Sequence, residues 1–422
     1  MVVGVVERVL PARLGTPFRW LLGSSWVSNI ADGLQVAAGP LLVASETHDP
    51  FLVALAAVLQ YLPFLLFGLF AGVVADRVDR RRMIVVADLC RVVVVAVLVA
   101  TVLSGHVNIA VVLTAMFLLG VGETFADTTT STLLPMIVAK RDLGVANARL
   151  ITGIVTFNQL AGPPVGALLF GLGRAYPFAA QCTCLALSVV LMLRVRLPAH
   201  GRDRTAEPST IRSDIVEGIR WVWRHAAVRT LVLTIVTFNV TFGAAWSVLV
   251  LYSLERLGMG EVGFGLLTSA LACGGLVGTL SFGWLERHIS LGNIMRGGLV
   301  IETLTHLILA VNTLPSVALV VFFVFGAHAF VWGTISTTVR QRAVPTAMQG
   351  RVTSVNLIGV TGGMVIGSAL GGVIASHWGI TAPFWFAFVG SAIFLALIWR
   401  QLVHVAHADE EQVEQDPATA PE

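Results

Sequence analysis

Long apolar runs separated by short polar connections dominate the chain. Crossing hydrocarbon takes about 20 mostly apolar helical residues, and twelve stretches reach that length: 18–43, 51–74, 83–103, 107–129, 147–171, 175–195, 229–253, 262–283, 293–312, 316–338, 353–375 and 380–399. The first is preceded by Glu7, Arg8, Arg13 and Arg19, contains Asp32 and has no small-residue cleavage site after it. It reads as a retained helix rather than a signal peptide.

One polar interval, 198–227, is much longer than the rest and parts six stretches from six. It opens Pro198-Ala199-His200-Gly201-Arg202-Asp203-Arg204 and then places Ile211, Ile215, Ile219 and Val222 at helical spacing beside Arg212, Arg220 and Arg224. That pattern predicts an amphipathic helix lying at the membrane interface. The expected organisation is an N-terminal six-helix half at 1–197, a cytoplasmic linker at 198–227, a C-terminal six-helix half at 228–400, and a disordered acidic tail at 401–422.

Composition sharpens this into a membrane protein. Charged residues are 12% of the chain, about half the usual soluble share, the AVILMFWYC set is 56%, and the mean hydropathy is +0.84. So little charge excludes soluble enzymes, secreted domains and nucleic-acid binders. With both termini inside, 25 of the 27 Lys and Arg residues fall on the cytoplasmic side, leaving Arg174 and Arg256 outside, as the positive-inside rule requires. The tail from Gln401 to Glu422 has six acids and no Lys or Arg. The four cysteines lie in apolar stretches and imply neither disulfides nor a metal site. No Gly-rich Lys-Ser/Thr nucleotide loop occurs, so no cofactor is expected and energy must come from a gradient.

Between the second and third stretches the chain reads Gly72-Val73-Val74-Ala75-Asp76-Arg77-Val78-Asp79-Arg80-Arg81-Arg82. This resembles the signature loop of the major facilitator superfamily, with Asp79 where a Gly is common. Gly162-Pro163-Pro164-Val165-Gly166 looks like the Gly-Pro motif of exporters and antiporters. Asp142-Leu143-Gly144-Val145-Ala146-Asn147 and Glu217-Gly218-Ile219-Arg220-Trp221-Val222-Trp223 look like the enterobactin-exporter and macrolide-efflux branch. The resemblance implies an all-α fold of twelve transmembrane helices, two six-helix halves with internal inverted repeats, in a bacterial inner membrane. It also implies drug:proton antiport and export rather than import.

In such transporters the loop acid faces the start of span eleven. Asp76 with Gly72, Arg77, Arg80, Arg81 and Arg82 is therefore expected to latch one conformation. Gly359, Gly363, Gly367 and Gly371 put four glycines on one face of span eleven, and close approach to span two is expected there. Gly162, Pro163 and Gly166 are the matching helix-packing candidates in span five.

Ionisable residues within a bilayer are costly and mark candidate sites. Span one carries Ser25, Ser28, Asn29, Asp32 and Gln35 along one face, and span seven carries Thr230, Thr234, Thr237 and Thr241 with similar spacing. Both stripes are expected to line a water-filled cavity. Glu123 and Asp127 stand one turn apart on span four and resist ionising together, which suits them to carry a proton. Many drug:proton antiporters have an Arg in this helix one turn before a Gly. Met116 stands there, before Gly120, so that relay does not transfer. Glu302 and His306 form a second one-turn pair, Asp88 and Arg91 read as part of a cytoplasmic charge network, and Trp246, Trp332, Phe238, Phe242 and Phe330 are candidate aromatic contacts.

The expected function is proton-coupled export of a small hydrophobic or amphiphilic compound, a drug, siderophore or metabolite, by alternating access. The proton-coupling candidates are Asp32, Glu123, Asp127 and Glu302; the substrate-cavity candidates are Ser28, Asn29, Asp32, Gln35, Thr234, Thr237, Thr241 and Trp246. The expected partners are that substrate, protons and the lipid bilayer, with no nucleic acid, no catalytic residues and a monomeric protein. The alternatives are a lipid or lysolipid flippase and a non-transporting membrane sensor.

Overall fold

Each of the twelve apolar stretches falls on helix. A computed structural model describes residues 12–196, 211–345 and 348–402, with 12, 76, 211–214 and 227 described in backbone only. The opening of the linker and the acidic tail lie outside the described residues. The long helices are α1 (Gly15–Glu46), α2 (Pro50–Arg77), α3 (Arg80–Leu103) and α4 (Ile109–Ile137). The fifth stretch is divided into α5 (Leu143–Gly153), a π-helical segment (Ile154–Ala161) and α6 (Gly162–Leu172). There follow α7 (Tyr176–Met192), α8 (Ile211–Arg224), α9 (Ala226–Trp246), α10 (Gly260–His288), α11 (Leu291–Val311), α12 (Pro315–Ala343), α13 (Gln349–Trp378) and α14 (Ala382–Ile398). Every regular element among the described residues is helical. Nine of these helices are long and apolar enough to cross a membrane, while α7 and α14 are shorter apolar helices.

Local chemistry sets the helix boundaries. Asp79 is extended at φ −64°, ψ 112° and accepts the Arg82 N–H at 2.8 Å, capping α3. Its turn needs no left-handed backbone, so Asp serves there without strain. Asn108 caps α4 in the same way, accepting from Val111 N–H at 3.1 Å. Pro163 and Pro164 have no N–H to give the carbonyls one turn back. The chain widens into the π-helical turn just before them, with the Gly162 N–H reaching Phe157 O.

Two compact units result, and neither is contiguous in sequence. The first holds Met1–His48, Leu59–Ala206 and Met259–Ser269; the second holds Asp49–Val58, Glu207–Gly258 and Ala270–Glu422. In the first unit Phe18, Leu21, Leu22, Ile84, Leu133 and Met192 form a buried apolar core. In the second, Leu231, Phe238, Met295, Leu299, Ile335 and Ile398 do so.

Lipid tails are as apolar as Leu, so close packing at small residues rather than expulsion from water holds such helices together. The first unit packs α1 on α6: a methyl at Gly162 would run into the Gly33 backbone, and one at Gly166 into Leu34. In the second unit α13 packs on α9, where a methyl at Gly363 would stand 2.8 Å from Asn239 Cβ and one at Gly367 or Gly371 would strike the Val240 or Ala244 carbonyl. Gly359 faces Val236. The four-glycine stripe therefore meets span seven, where span two was expected. The start of α2 instead meets Gly372, on the neighbouring face, through Ala54 and Phe51. Spacing fixes which face is smooth but not which helix lies on it.

The linker helix α8 is present. Gly218 lies under the Arg351 carbonyl and Val355, Val222 is buried, and Glu217 pairs with Arg351 at 3.2 Å. Asp142, ahead of α5, has Arg13 at 3.6 Å. Both branch-like motifs thus dock helix starts by ion pairs.

Candidate functional site

The first unit buries a cluster of charges among α1, α3, α4 and α7. Arg91 sits on α3, about 16 Å beyond its first residue at 1.5 Å per residue. It is 1% exposed and contacts three α1 and α3 groups: Asp32 Oδ1 through Nη2, Asp88 Oδ1 at 3.2 Å and Ser28 Oγ at 3.5 Å through Nη1. Ser188 of α7 donates to Asp88 Oδ2 at 3.3 Å and shares a 2.9 Å hydrogen bond with Ser24. Ser28 reaches Asp32 Oδ2 at 3.5 Å.

Arg91 can lie there because α4 has no side chain at the crossing. A methyl on Gly122 would stand 2.5 Å from Arg91 Cγ and 2.9 Å from Cδ. The next residue, Glu123, is half-buried and within the electrostatic reach of Asp32, Arg91, Asp127 and Asp88. The position that carries Arg in many drug:proton antiporters holds Met116, buried against Gly39. The guanidinium of this site therefore comes from α3. Arg91 belongs to this buried cluster and not to a cytoplasmic charge network. Its distance from Asp32 along the chain gave the sequence no signal of the pairing, beyond an Arg placed deep in an apolar helix.

Beside the cluster is a small pocket of about 30 Å³, room for a water or two, lined by Ser25, Ser28, Asn29, Asp88, Asp127 and Thr130 among others. Asp127 is exposed, and Asn29 donates to Ser25 O at 2.7 Å. Gln35, one turn beyond Asp32, is not part of this lining: it accepts from Gln181 Nε2 of α7 and both are buried.

The basic loop after α2 is anchored within its own unit. Arg80 Nη1 lies 2.7 Å from Met136 Sδ, Arg81 donates to Leu193 O, and the Arg82 backbone is held by Asp79. Arg77 is exposed, and Gly72 is half-buried near Thr128. The Asp76 side chain lies outside the described residues.

The threonine stripe on α9 is mostly spent on helix contacts. Thr234 donates to Thr230 O at 2.7 Å; Thr241 donates to Phe238 O at 3.1 Å and accepts from Ser391 at 3.2 Å. Both are buried and Thr237 is half-buried. A hydroxyl that bonds its own helix backbone is satisfied without water.

In the second unit Glu302 on α11 lies between two imidazoles. Its Oε2 is 3.1 Å from His328 Nε2 of α12, and its Oε1 is 3.7 Å from His306 Nε2. All three are buried, and neither ring nitrogen of His306 has a hydrogen-bond partner. His328 was missed from sequence because it comes from another helix, where a lone His has no periodic signature. Nearby, Phe242 stacks on Phe325 at 5.3 Å and tilts toward Trp246 at 5.3 Å, and these rings line a pocket with His306. Phe238 and Trp332 instead pack with the core, and Phe330 covers Gly275. Among the described residues no group of three His, Cys, Asp or Glu is arranged to hold a metal.

Comparison with known proteins places this geometry. A family model described as transmembrane secretion effector, of the major facilitator type, matches residues 11–422. The multidrug efflux pump Tap of Mycolicibacterium fortuitum is 26% identical over 387 residues, covering 87% of the chain and 91% of the pump. Macrolide efflux protein A of Streptococcus pyogenes is 23% identical over 385 residues, covering 88% and 92%. Among solved structures, the nucleoside transporter NupG aligns with a TM-score of 0.70 at 12% identity, covering 93% of this chain and 99% of that one. A bacterial homologue of the iron transporter ferroportin aligns with a TM-score of 0.68 at 16% identity, covering 90% and 98%. These structural likenesses concern the fold.

Proposed function

The chain belongs to the transmembrane secretion effector family of the major facilitator superfamily, and from that premise we propose that it exports small hydrophobic or amphiphilic compounds from a bacterial cell in exchange for protons. The efflux names of the Tap and macrolide relatives support the export direction and the compound class. Twelve spans in two six-helix halves, with both termini cytoplasmic, are the arrangement that this reading takes.

One observation carries the coupling: a single guanidinium, Arg91, is buried with Asp32 and Asp88 and in the field of Glu123 and Asp127. The guanidinium contacts only Asp32 and Asp88, and a buried charge is costly unless paired. Glu123 and Asp127, which it does not contact, are the groups this reading uses to take up protons, with the pocket at Ser28, Asn29 and Asp127 as their path to water. A proton arriving at Asp32 weakens its hold on Arg91, whose Nη1 already contacts Asp88, so the guanidinium shifts its pairing. Glu123, one residue from the Gly122 crossing, takes or releases the compensating proton. Alternating access then follows if substrate and proton favour different states of the protein. Glu302, matched by two imidazoles, has no coupling role in this reading.

Everted vesicles given ethidium or a macrolide in the outer medium under an imposed pH gradient test this. Wild-type vesicles accumulate the compound, and both an ionophore that collapses the gradient and Asp32→Asn stop it. Accumulation that survives gradient collapse would remove proton coupling. Directional lipid movement without a proton response would favour a flippase, and no compound-dependent flux at all a sensor.

A further inference from the structure

The first unit has a second open volume, which the buried acids do not line. It is a cleft of about 720 Å³ where α1 and α3 begin and α7 ends, lined by Thr16, Pro17, Trp20, Arg81, Leu193, Arg194 and Arg196. That is ample room for a headgroup-sized ligand. Every charged residue of the lining is an arginine, and no carboxylate among the described residues lines it. α1 starts here with no side-chain cap and no acid in its first turn, so the positive end of its dipole adds to the field.

Arginines at helix ends are ordinary in a membrane protein, but here three converge on one cleft and two are held in place. Arg81 donates to Leu193 O, and the Arg194 guanidinium lies over the Trp20 ring, 4.9 Å from its centroid. Stacking engages the face of a guanidinium and leaves the N–H groups at its edge to donate to oxygen. Three cations without a local acid favour an anion and repel an ammonium group.

The surface beside the cleft points to a lipid rather than a soluble phosphate. α3 and α7 meet along a seam marked by Arg81 and Leu193 at one end and by Cys182 Sγ, 3.8 Å from Val92 O, further along. Asp88 and Ser188 lie on the inner side of that seam. On its outer side Leu89 and Val93 of α3, and Val190 and Leu193 of α7, are exposed. From Arg81 to Val93 the helix rises about 18 Å, close to the depth of one leaflet's hydrocarbon. Leu193 belongs to both surfaces, so the apolar flank is continuous with the arginine cleft.

We propose that this cleft binds the phosphate headgroup of an anionic phospholipid, whose acyl chains lie along the outer face of the α3–α7 seam. The site is independent of the coupling cluster and of the direction of transport.

Native mass spectrometry of the delipidated protein, titrated with dioleoyl-phosphatidylglycerol or dioleoyl-phosphatidylcholine, tests this, since the two lipids share their chains and differ in headgroup charge. Wild type should bind the anionic lipid at least about ten-fold more tightly. Arg194→Gln with Arg196→Gln should abolish that preference at an unchanged melting temperature, because both side chains are exposed. Arg196→Gln alone, which leaves the Trp20 stack intact, should weaken it by about five-fold and carries the test if the double variant folds poorly. Arg220→Gln with Arg224→Gln removes the same charge from α8 in the second unit and should keep the preference. Equal binding of the two lipids by wild type, a preference that survives loss of Arg194 and Arg196, or equal losses in the two double variants would overturn the proposal. Displacement of the lipid by glycerol phosphate would also overturn it, in favour of a soluble phosphate ligand.

Discussion

The two units handle buried charge in opposite ways. The first gathers Asp32, Asp88, Glu123 and Asp127 around the permanently charged Arg91; the second sets one acid, Glu302, between His306 and His328, which are charged only when protonated. A surplus of acids around a fixed cation stores protons. An acid matched by neutralisable partners can be quiet. The proposed proton coupling falls to the first of these chemically different centres, and each can be perturbed alone.

The strongest break of this contrast is Arg91→Leu. It strands Asp32 and Asp88 in a buried site, and losing one partner of such a pair costs about 3–5 kcal/mol. We expect a large drop in thermal stability in detergent and no transport, with Asp32→Asn in the same chain restoring part of the stability but not the pumping. A stable, active Arg91→Leu protein would show that the pairing is dispensable.

Glu123→Gln should come next. The protein should fold normally, since Glu123 makes no described hydrogen bond, yet gradient-driven ethidium accumulation in everted vesicles should fall to the level seen without a gradient. Undiminished accumulation would take Glu123 out of the coupling path.

Two glycines allow a matched test. A methyl at Gly122 would press on the Arg91 stem at 2.5 Å, and one at Gly298 on His328 Nδ1 at 2.5 Å. Overpacking of this kind costs about 1–3 kcal/mol. Gly122→Ala should lower transport along with melting temperature, whereas Gly298→Ala should lower the melting temperature while sparing proton coupling. The smallest effect is expected from Glu302→Gln, which keeps an acceptor for His328. Gradient-driven transport should change by less than about three-fold, the scale of one hydrogen bond.

Helix positions were legible because hydrocarbon thickness imposes a length and a composition on each span, and all twelve stretches fell on helix. Asp32, Glu123 and Glu302 were legible for a related reason, since a charge in an apolar helix is expensive and stands out. Their partners were not. Arg91 meets Asp32, and His328 meets Glu302, through helix crossings that no single-chain spacing encodes. The glycine stripe at Gly359 to Gly371 announced a close contact but not that α9 supplies it. The threonines at 234 and 241 bond their own helix, and a hydroxyl satisfied that way reads the same in sequence as one facing water.

Compound-elicited proton movement in proteoliposomes, followed with a trapped pH dye on adding ethidium, tests most directly whether the first unit carries the protons. The account predicts a proton signal from wild-type protein and from Glu302→Gln, and none from Glu123→Gln. A full signal from Glu123→Gln, or its loss in Glu302→Gln, would contradict it.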